Sequence, residues 1–307
     1  MGFLMEILKF SKALSDEIRI RLLAMLRDNE LNVGEVVQVL GMSQPRVSRH
    51  LKIMHESGLL ESRREGLWNF YRLARSGKGN RFAESVSWLI ENEPEVEEDR
   101  HRVAKVLAER NLETRKFFDE IAEDWERLQR DVFGEFNIDS ELLHLVDRCS
   151  VGVDLGCGNG SLLESLLAKC DTVIGVDSSP KMLELAEKRL GNHPDVSLRI
   201  GELTHLPLRD WEADLTFISM VLHHLPRPDK AVAEAARTLS SGGKLVIADF
   251  LSHSNERMRS EFGDRRLGFT EDELGGWVKD AGLESVNIRR FPVNEGLTVL
   301  VYISEKK

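Results

Sequence analysis

The chain of 307 residues is 41% hydrophobic and 31% charged, long enough for two domains and polar enough for an aqueous fold. No apolar run approaches the roughly 20 residues that cross a bilayer, which excludes membrane-spanning helices. The net charge of -10 is unevenly spread: residues 1–80 carry 13 Lys and Arg against 9 Asp and Glu, and the rest carry 29 against 43, so a mildly basic front and an acidic back point to separate tasks.

In chain order, the start "MGFLMEILKF" places Glu6 and Lys9 among its apolar residues and has no small-residue cleavage site, so it does not read as a signal peptide. Glu6 also stands where a myristoylation signal needs Ser or Thr. Helical spacing predicts helices over 3–14 and 16–28, the second capped by Ser15. A short helix over 33–39 should end at Gly41, and Ser43 should cap another that runs to about Glu56 and stops at Gly58. Residues 59–74, "LLESRREGLWNFYRLA", break at Gly66 and read as a hairpin, followed by a linker at 75–80. Residues 81–92 should form an amphipathic helix, Pro94 a hinge, and 96–130 one or two long helices rich in i,i+4 charge pairs. Beyond about Ser140, short apolar strands alternate with helices, the mark of a parallel sheet covered on both faces; a helix at 270–281 and a strand pair close the chain.

In the helix after Ser43, Val47, Leu51 and Met54 share one face and should pack inward. The other face offers Gln44, Pro45, Arg49 and Lys52, flanked by Arg46 and Ser48. Small polar residues and arginines at a helix start suit the major groove: arginine bonds guanine with two hydrogen bonds, and Ser43 with the helix N-terminus can hold a phosphate. Arg63 and Arg64 are expected at the hairpin tip, near a neighbouring backbone or minor groove. Any one arginine could be an ordinary solvated charge; the order helix, turn, capped helix and arginine-bearing hairpin is far more specific.

The segment from "ALSDEIRIRLL" through "GLWNFYRL" resembles the winged helix-turn-helix of ArsR-family bacterial repressors over roughly residues 5–75. The resemblance implies an operator-binding homodimer paired through the helices near 3–14 and 81–91. Metal-sensing members carry cysteines in the stretch matching "ELNVGE"; Asn32 and Gly34 stand here instead, so that role does not transfer. No metal site is read elsewhere. His50 and His55 are taken as helix-surface residues, and Cys149, Cys157 and Cys170, odd in number and without a CxxC pair, as core thiols of a reducing cytoplasm.

In the back half, "VGVDLGCGNGSLLESLL" is a strand, a glycine-rich turn and a helix, with glycines at 156, 158 and 160 and Ser161 where a dinucleotide enzyme would have its last glycine. Asp177 ends the next strand, where a carboxylate can accept both ribose hydroxyls, and Glu202 follows the third strand within reach of an adenine edge. Together these resemble a class I methyltransferase that binds S-adenosylmethionine, over about 145–307 with a helical cover at 117–128. The resemblance implies a Rossmann-like domain with Asp154 and Gly156 near the methionine part of the ligand, and Gly158 and Gly160 among the residues that bind it. Asp177 would hold the ribose, Glu202 the adenine amino group, and Ser219 and Met220 would line the pocket; Ser178, Met182 and Leu203 are counted with them as ligand-binding.

The expected architecture is therefore α/β: a winged helix-turn-helix (α+β) over 1–80, a helical dimerisation, linker and cover segment over 81–140, and a methyltransferase-like domain over 141–307. Catalytic residues are not assigned. The stretch "SMVLHHLP" lacks the turn of adenine-N6 enzymes, no Pro-Cys nucleophile of cytosine-C5 enzymes occurs, and His223 and His224, with no acidic partner at metal spacing, read as pocket wall. The reading is a cytoplasmic DNA-binding regulator, a repressor, whose second domain takes S-adenosylmethionine or S-adenosylhomocysteine as effector. The rival is an enzyme that methylates a small molecule and carries a regulatory DNA-binding domain; a nucleic-acid methyltransferase steered by the winged helix is the third reading.

Overall fold

A computed structural model of the protein describes residues 3–65 and 68–307 and divides the chain into a unit ending at Asn111 and a second beginning at Leu112. The segment 81–140, expected between two domains, is shared out between these units rather than forming a body of its own. None of the described helices is long and apolar enough to cross a membrane.

The first unit contains α1 (Phe3–Leu14), α2 (Glu17–Asp28), β1 (Leu31–Asn32), α3 (Val33–Leu40), α4 (Gln44–Ser57), β2 (Leu60–Glu65), β3 (Trp68–Leu73), α5 (Gly77–Ile90) and the first part of α6 (Pro94–Ile121). Asp16, not Ser15, caps α2: its carboxylate accepts the free N–H groups of Ile18 and Arg19, while Ser15 Oγ donates back to Lys12 O. Gly41 and Gly58 close α3 and α4 in the left-handed conformation, as expected of C-terminal glycines. The hairpin β2–β3 gains a third strand, since β1 pairs with β3 at Leu31↔Tyr71. The break at Gly66 lies outside the described residues.

Residues 77–80 are not a linker but the first turn of α5. The glycines that suggested flexibility serve packing, because a Cβ on Gly79 would stand 1.9 Å from the carbonyl oxygen of Gly58. Pro94 likewise begins α6 rather than hinging it, as proline does when its missing N–H falls in a helix's first turn. The acidic run after it is helical, and Asp99, buried, receives a two-pronged bond from Arg21 at 2.7 and 2.8 Å. Val103 and Val106 join the same core as Leu22, Val47, Leu51 and Met54.

The second unit continues with α7 (Trp125–Phe133), α8 (Ile138–His144), β4 (Cys149–Leu155), α9 (Ser161–Leu166), β5 (Cys170–Asp177), α10 (Pro180–Leu190), β6 (Val196–Ile200), β7 (Ala213–Ser219), α11 (Pro228–Thr238), β8 (Leu239–Phe250), α12 (Arg257–Phe262), α13 (Glu271–Asp280), β9 (Leu283–Pro292) and β10 (Thr298–Lys306). The sheet runs β6-β5-β4-β7-β8-β10-β9; β4 to β8 are parallel, and β10 pairs antiparallel with both β8 and β9. One core lies on each face, the first including Val153, Ile174, Ile218 and Ile247, the second Val173, Phe217, Val246 and Val301. The fold is α/β: in chain order a winged helix-turn-helix is followed by a Rossmann-like sheet. Strand order reverses between β4 and β7, so the loops leaving their carboxyl ends diverge and open a crevice there.

Candidate functional site

At that crevice lies a cavity of about 930 Å³, open to solvent. The turn after β4 forms one wall, with Gly156, Cys157 and Gly158; Asp154 comes from the strand itself. Gly156 has φ +79°, and a Cβ there would stand 2.6 Å from Val221, so the turn needs glycine for both conformation and room. Asp177 and Ser178 follow β5, Met182 enters from α10, Glu202 and Leu203 follow β6, and Ser219 and Met220 end β7. Met220 holds φ +55°, a left-handed backbone carried by a residue other than glycine at the pocket wall. Ten of the eleven residues expected to hold an adenosyl ligand thus line one cavity: Asp154, Gly156, Gly158, Asp177, Ser178, Met182, Glu202, Leu203, Ser219 and Met220. Gly160 is not among them; it precedes α9 with φ +78°, and a Cβ there would press on Ala186 and Leu190 of α10.

Asp177 accepts the backbone N–H of Gly158 at 2.9 Å and of Ser179 at 2.8 Å, which ties the glycine turn to the end of β5. Lone pairs remain for two hydroxyls, since a carboxylate can accept about four hydrogen bonds. Burial pushes the Asp177 carboxyl above its usual range against the pull of those N–H groups, and lifts Asp154 further, with Asp139 and Asp177 adding repulsion. Asp139 on α8, also lifted by burial, lines the cavity and was not singled out in the sequence, because its helix precedes the strand motifs and carries no glycine signature. Three carboxylates around one crevice, Asp154 buried and Asp139 and Asp177 half-buried, favour a ligand that brings hydroxyls and positive charge. Thr114 and Phe118 of α6, with Trp125 and Gln129 of α7, supply the helical cover.

The histidines after β7 differ from the sequence reading. His223 has acidic partners after all, brought by the fold from β8 and from the loop after α12, while His224 meets the carbonyl of Gly263. His223 Nδ1 lies 2.7 Å from Asp249 Oδ1 and its Nε2 lies 3.5 Å from Asp264 Oδ1, with all three residues buried. Burial opposes the charged imidazole of His223, but Asp249 and Asp264 outweigh it and raise its pKa to about 9. Burial pushes Asp264 up to about 6 despite His223. His224 is driven well below its usual value by burial and then by the neighbouring His223. His224 faces the large cavity and also a smaller one of about 350 Å³, walled by Trp125, Phe133, Phe250, Phe262, Met220 and Met258 among others.

In the first unit, α4 buries Val47, Leu51 and Met54 completely, each worth about 1.5–3 kcal/mol relative to exposure. That fixes its outer face. Ser43, Gln44, Arg46, Arg49 and Lys52 are exposed and Ser48 half-buried. Ser43 occupies the N-cap position without bonding the helix through its side chain, which leaves the hydroxyl for another acceptor or donor. Arg46 and Arg49 make no hydrogen bond or ion pair among the described residues; Lys52 stands 3.8 Å from Glu56. Arg63 and Arg64 lie on β2, before the hairpin tip. Arg63 is held by Glu30 at 3.0 Å and lies over the Phe70 ring, whereas Arg64 is exposed. His50 is half-buried, 3.7 Å from Asp16, and His55 meets Ser62 Oγ at 3.0 Å. At "ELNVGE", Asn32 caps α3 in a reciprocal pair with Glu35, which also accepts from Arg110 at 2.9 Å. All three polar side chains of that segment, Glu30 through Arg63 included, are engaged in holding the fold.

Comparison with known proteins meets both units. Residues 16–62 match the family model described as bacterial regulatory protein, arsR family, and residues 153–247 match the one described as methyltransferase domain. The arsenical resistance operon repressor of Escherichia coli K12 is 44% identical over 75 residues, covering 24% of this chain and 63% of that protein. A protein of Geobacillus thermodenitrificans, named a methyltransferase without further description, is 30% identical over 145 residues, covering 46% of this chain and 66% of its own length. The chain thus spans less than two thirds of either relative. The solved structure of geranyl diphosphate C-methyltransferase from Streptomyces coelicolor A3(2), in complex with Mg2+, geranyl diphosphate and S-adenosyl-L-homocysteine, shares the fold with a TM-score of 0.50 at 13% identity, over 55% of this chain and 78% of that one.

Proposed function

For a chain that joins an arsR-family regulatory segment to a methyltransferase domain, we propose a DNA-binding transcriptional regulator, a repressor, that takes S-adenosylmethionine or S-adenosylhomocysteine as its effector. The observation that carries this reading is α6. Its first part buries Val103 and Val106 in the core under the recognition helix, and its last part lends Thr114 and Phe118 to the wall of the ligand cavity. A ligand that favours one arrangement of that helix shifts the population available to DNA. Supporting it, the cavity pairs hydrogen-bond acceptors for a ribose with carboxylates for an ammonium or sulfonium, while α4 offers Arg46 and Arg49, exposed and unpaired among the described residues. The test is an anisotropy titration of a promoter fragment with each nucleoside at saturation. Coupling of about 1–3 kcal/mol is typical, so the operator Kd should move roughly 5- to 150-fold. Two unmoved curves would end the effector reading.

The regulator acts as a homodimer in this reading. Leu4, Met5 and Leu8 of α1 and Trp88 and Leu89 of α5 are each more than half exposed, an apolar set that a second copy would cover. Trp88→Glu should weaken dimerisation by about 2 kcal/mol or more, roughly 30-fold, because a central tryptophan is replaced by a charge needing water. Sedimentation across a concentration series reads this directly, and an unchanged dimer would move the interface elsewhere.

The second reading, methylation of a small molecule, is favoured by the apolar 350 Å³ cavity that shares Trp125, Gln129, Met220 and His224 with the larger one. An acceptor there would sit beside the ligand. Transfer of labelled methyl from S-adenosylmethionine to a small-molecule extract distinguishes the two readings.

A further inference from the structure

Asp264 is among the least explained residues of the second unit. Its side chain is wholly buried, yet neither carboxylate oxygen accepts a hydrogen bond. Its charge neighbours are the His223 ring, with Nε2 3.5 Å away, and Arg259, neither of which bonds it; a buried carboxylate without a hydrogen bond is costly and favours a closer positive partner. What it faces is a pair of imidazoles: one ring nitrogen of His223, one of His224 and an oxygen of Asp264 lie within 4.8 Å of one another.

We propose that His223, His224 and Asp264 hold a divalent transition-metal ion, zinc by their donor set, with Asp249 as the outer partner that orients His223. The spacing supports a shared ion over a direct bond. Two ligands about 2.0–2.1 Å from one tetrahedral ion stand roughly 3.4 Å apart. His223 Nε2 and Asp264 Oδ1 are 3.5 Å apart, long for a hydrogen bond and close to that separation. The outer contact has the right form as well. Asp249 accepts from His223 Nδ1 at 2.7 Å, which leaves Nε2 as the coordinating atom, and Asp249 is itself fixed by the N–H of Phe250 at 2.7 Å. Metal-bound histidines generally donate their second ring N–H to such a carboxylate. Two imidazoles and one carboxylate suit zinc and leave a coordination position open. All three residues line the 350 Å³ cavity, so the open position would be available to water or to an oxygen of a second small molecule. The proposal is independent of the adenosyl-effector reading, since metal and nucleoside binding are measured separately.

The test uses the full-length chain, stripped with a chelator and titrated with zinc against a chromophoric competitor. One equivalent should bind, and Asp264→Asn should weaken it at least 100-fold. Cobalt(II) should then give d–d absorption without a thiolate charge-transfer band in the wild-type chain, a readout that stands if Asp264→Asn fails to fold. Zinc that is not retained, an affinity untouched by Asp264→Asn, or a thiolate band assigning the ion to Cys149 and Cys170, whose sulfurs lie 2.8 Å apart, would each overturn the site.

Discussion

Asp177→Ala should abolish adenosyl-ligand binding while the ligand-free protein still binds DNA. The carboxylate stands at the end of β5 in the cavity wall, and two charge-assisted hydrogen bonds to ribose hydroxyls are worth about 3 kcal/mol or more, so the Kd should rise over roughly 100-fold. The same substitution removes the acceptor for the Gly158 and Ser179 N–H groups and loosens the glycine turn, so part of the loss is of pocket shape. Asp177→Asn separates the contributions, because an amide oxygen still accepts from one N–H without the charge. Calorimetry with S-adenosylhomocysteine reads both variants. An unchanged Kd in Asp177→Ala would remove this residue from the site.

Arg49→Ala should weaken specific operator binding by about 1–3 kcal/mol, roughly 5- to 150-fold, and relax preference at one base position. The warrant is the helix itself: with Val47, Leu51 and Met54 fully buried, Arg49 projects from the opposite face and has no partner among the described residues to leave. Arg64→Ala, on the exposed side of β2, should instead weaken all sequences alike and flatten the salt dependence, as loss of a phosphate contact does. Arg63 is a poorer choice for this experiment, since its substitution also removes the ion pair with Glu30. Binding-site selection is the measurement; wild-type affinity and preference in Arg49→Ala would move the reading face off α4.

Much of this architecture is legible in the amino-acid sequence. The two helices and turn around Gly41, the inward row of Val47, Leu51 and Met54, and the glycine turn with Asp177 at the next strand end depend on neighbours within a few positions. Helical spacing, cap residues and left-handed glycines act locally, so a linear sequence carries them. An ambiguous local signal misleads. Gly77 and Gly79 suggest a linker because glycine is flexible in isolation, but Gly79 is required by the Gly58 carbonyl 21 positions before it.

Sequence alone thus determined the order of the two folds and placed ten of its eleven expected ligand residues on the cavity wall, because the loops that leave the carboxyl ends of a parallel sheet open a crevice where the strand order reverses. Only the tertiary structure decided the partners of buried charge. Asp249 reaches His223 from 26 residues away, and Glu30 reaches Arg63 from 33. No periodicity encodes such pairs. They form because burial makes an unpaired charge costly, and the group that relieves it can come from any segment the fold brings within about 3 Å.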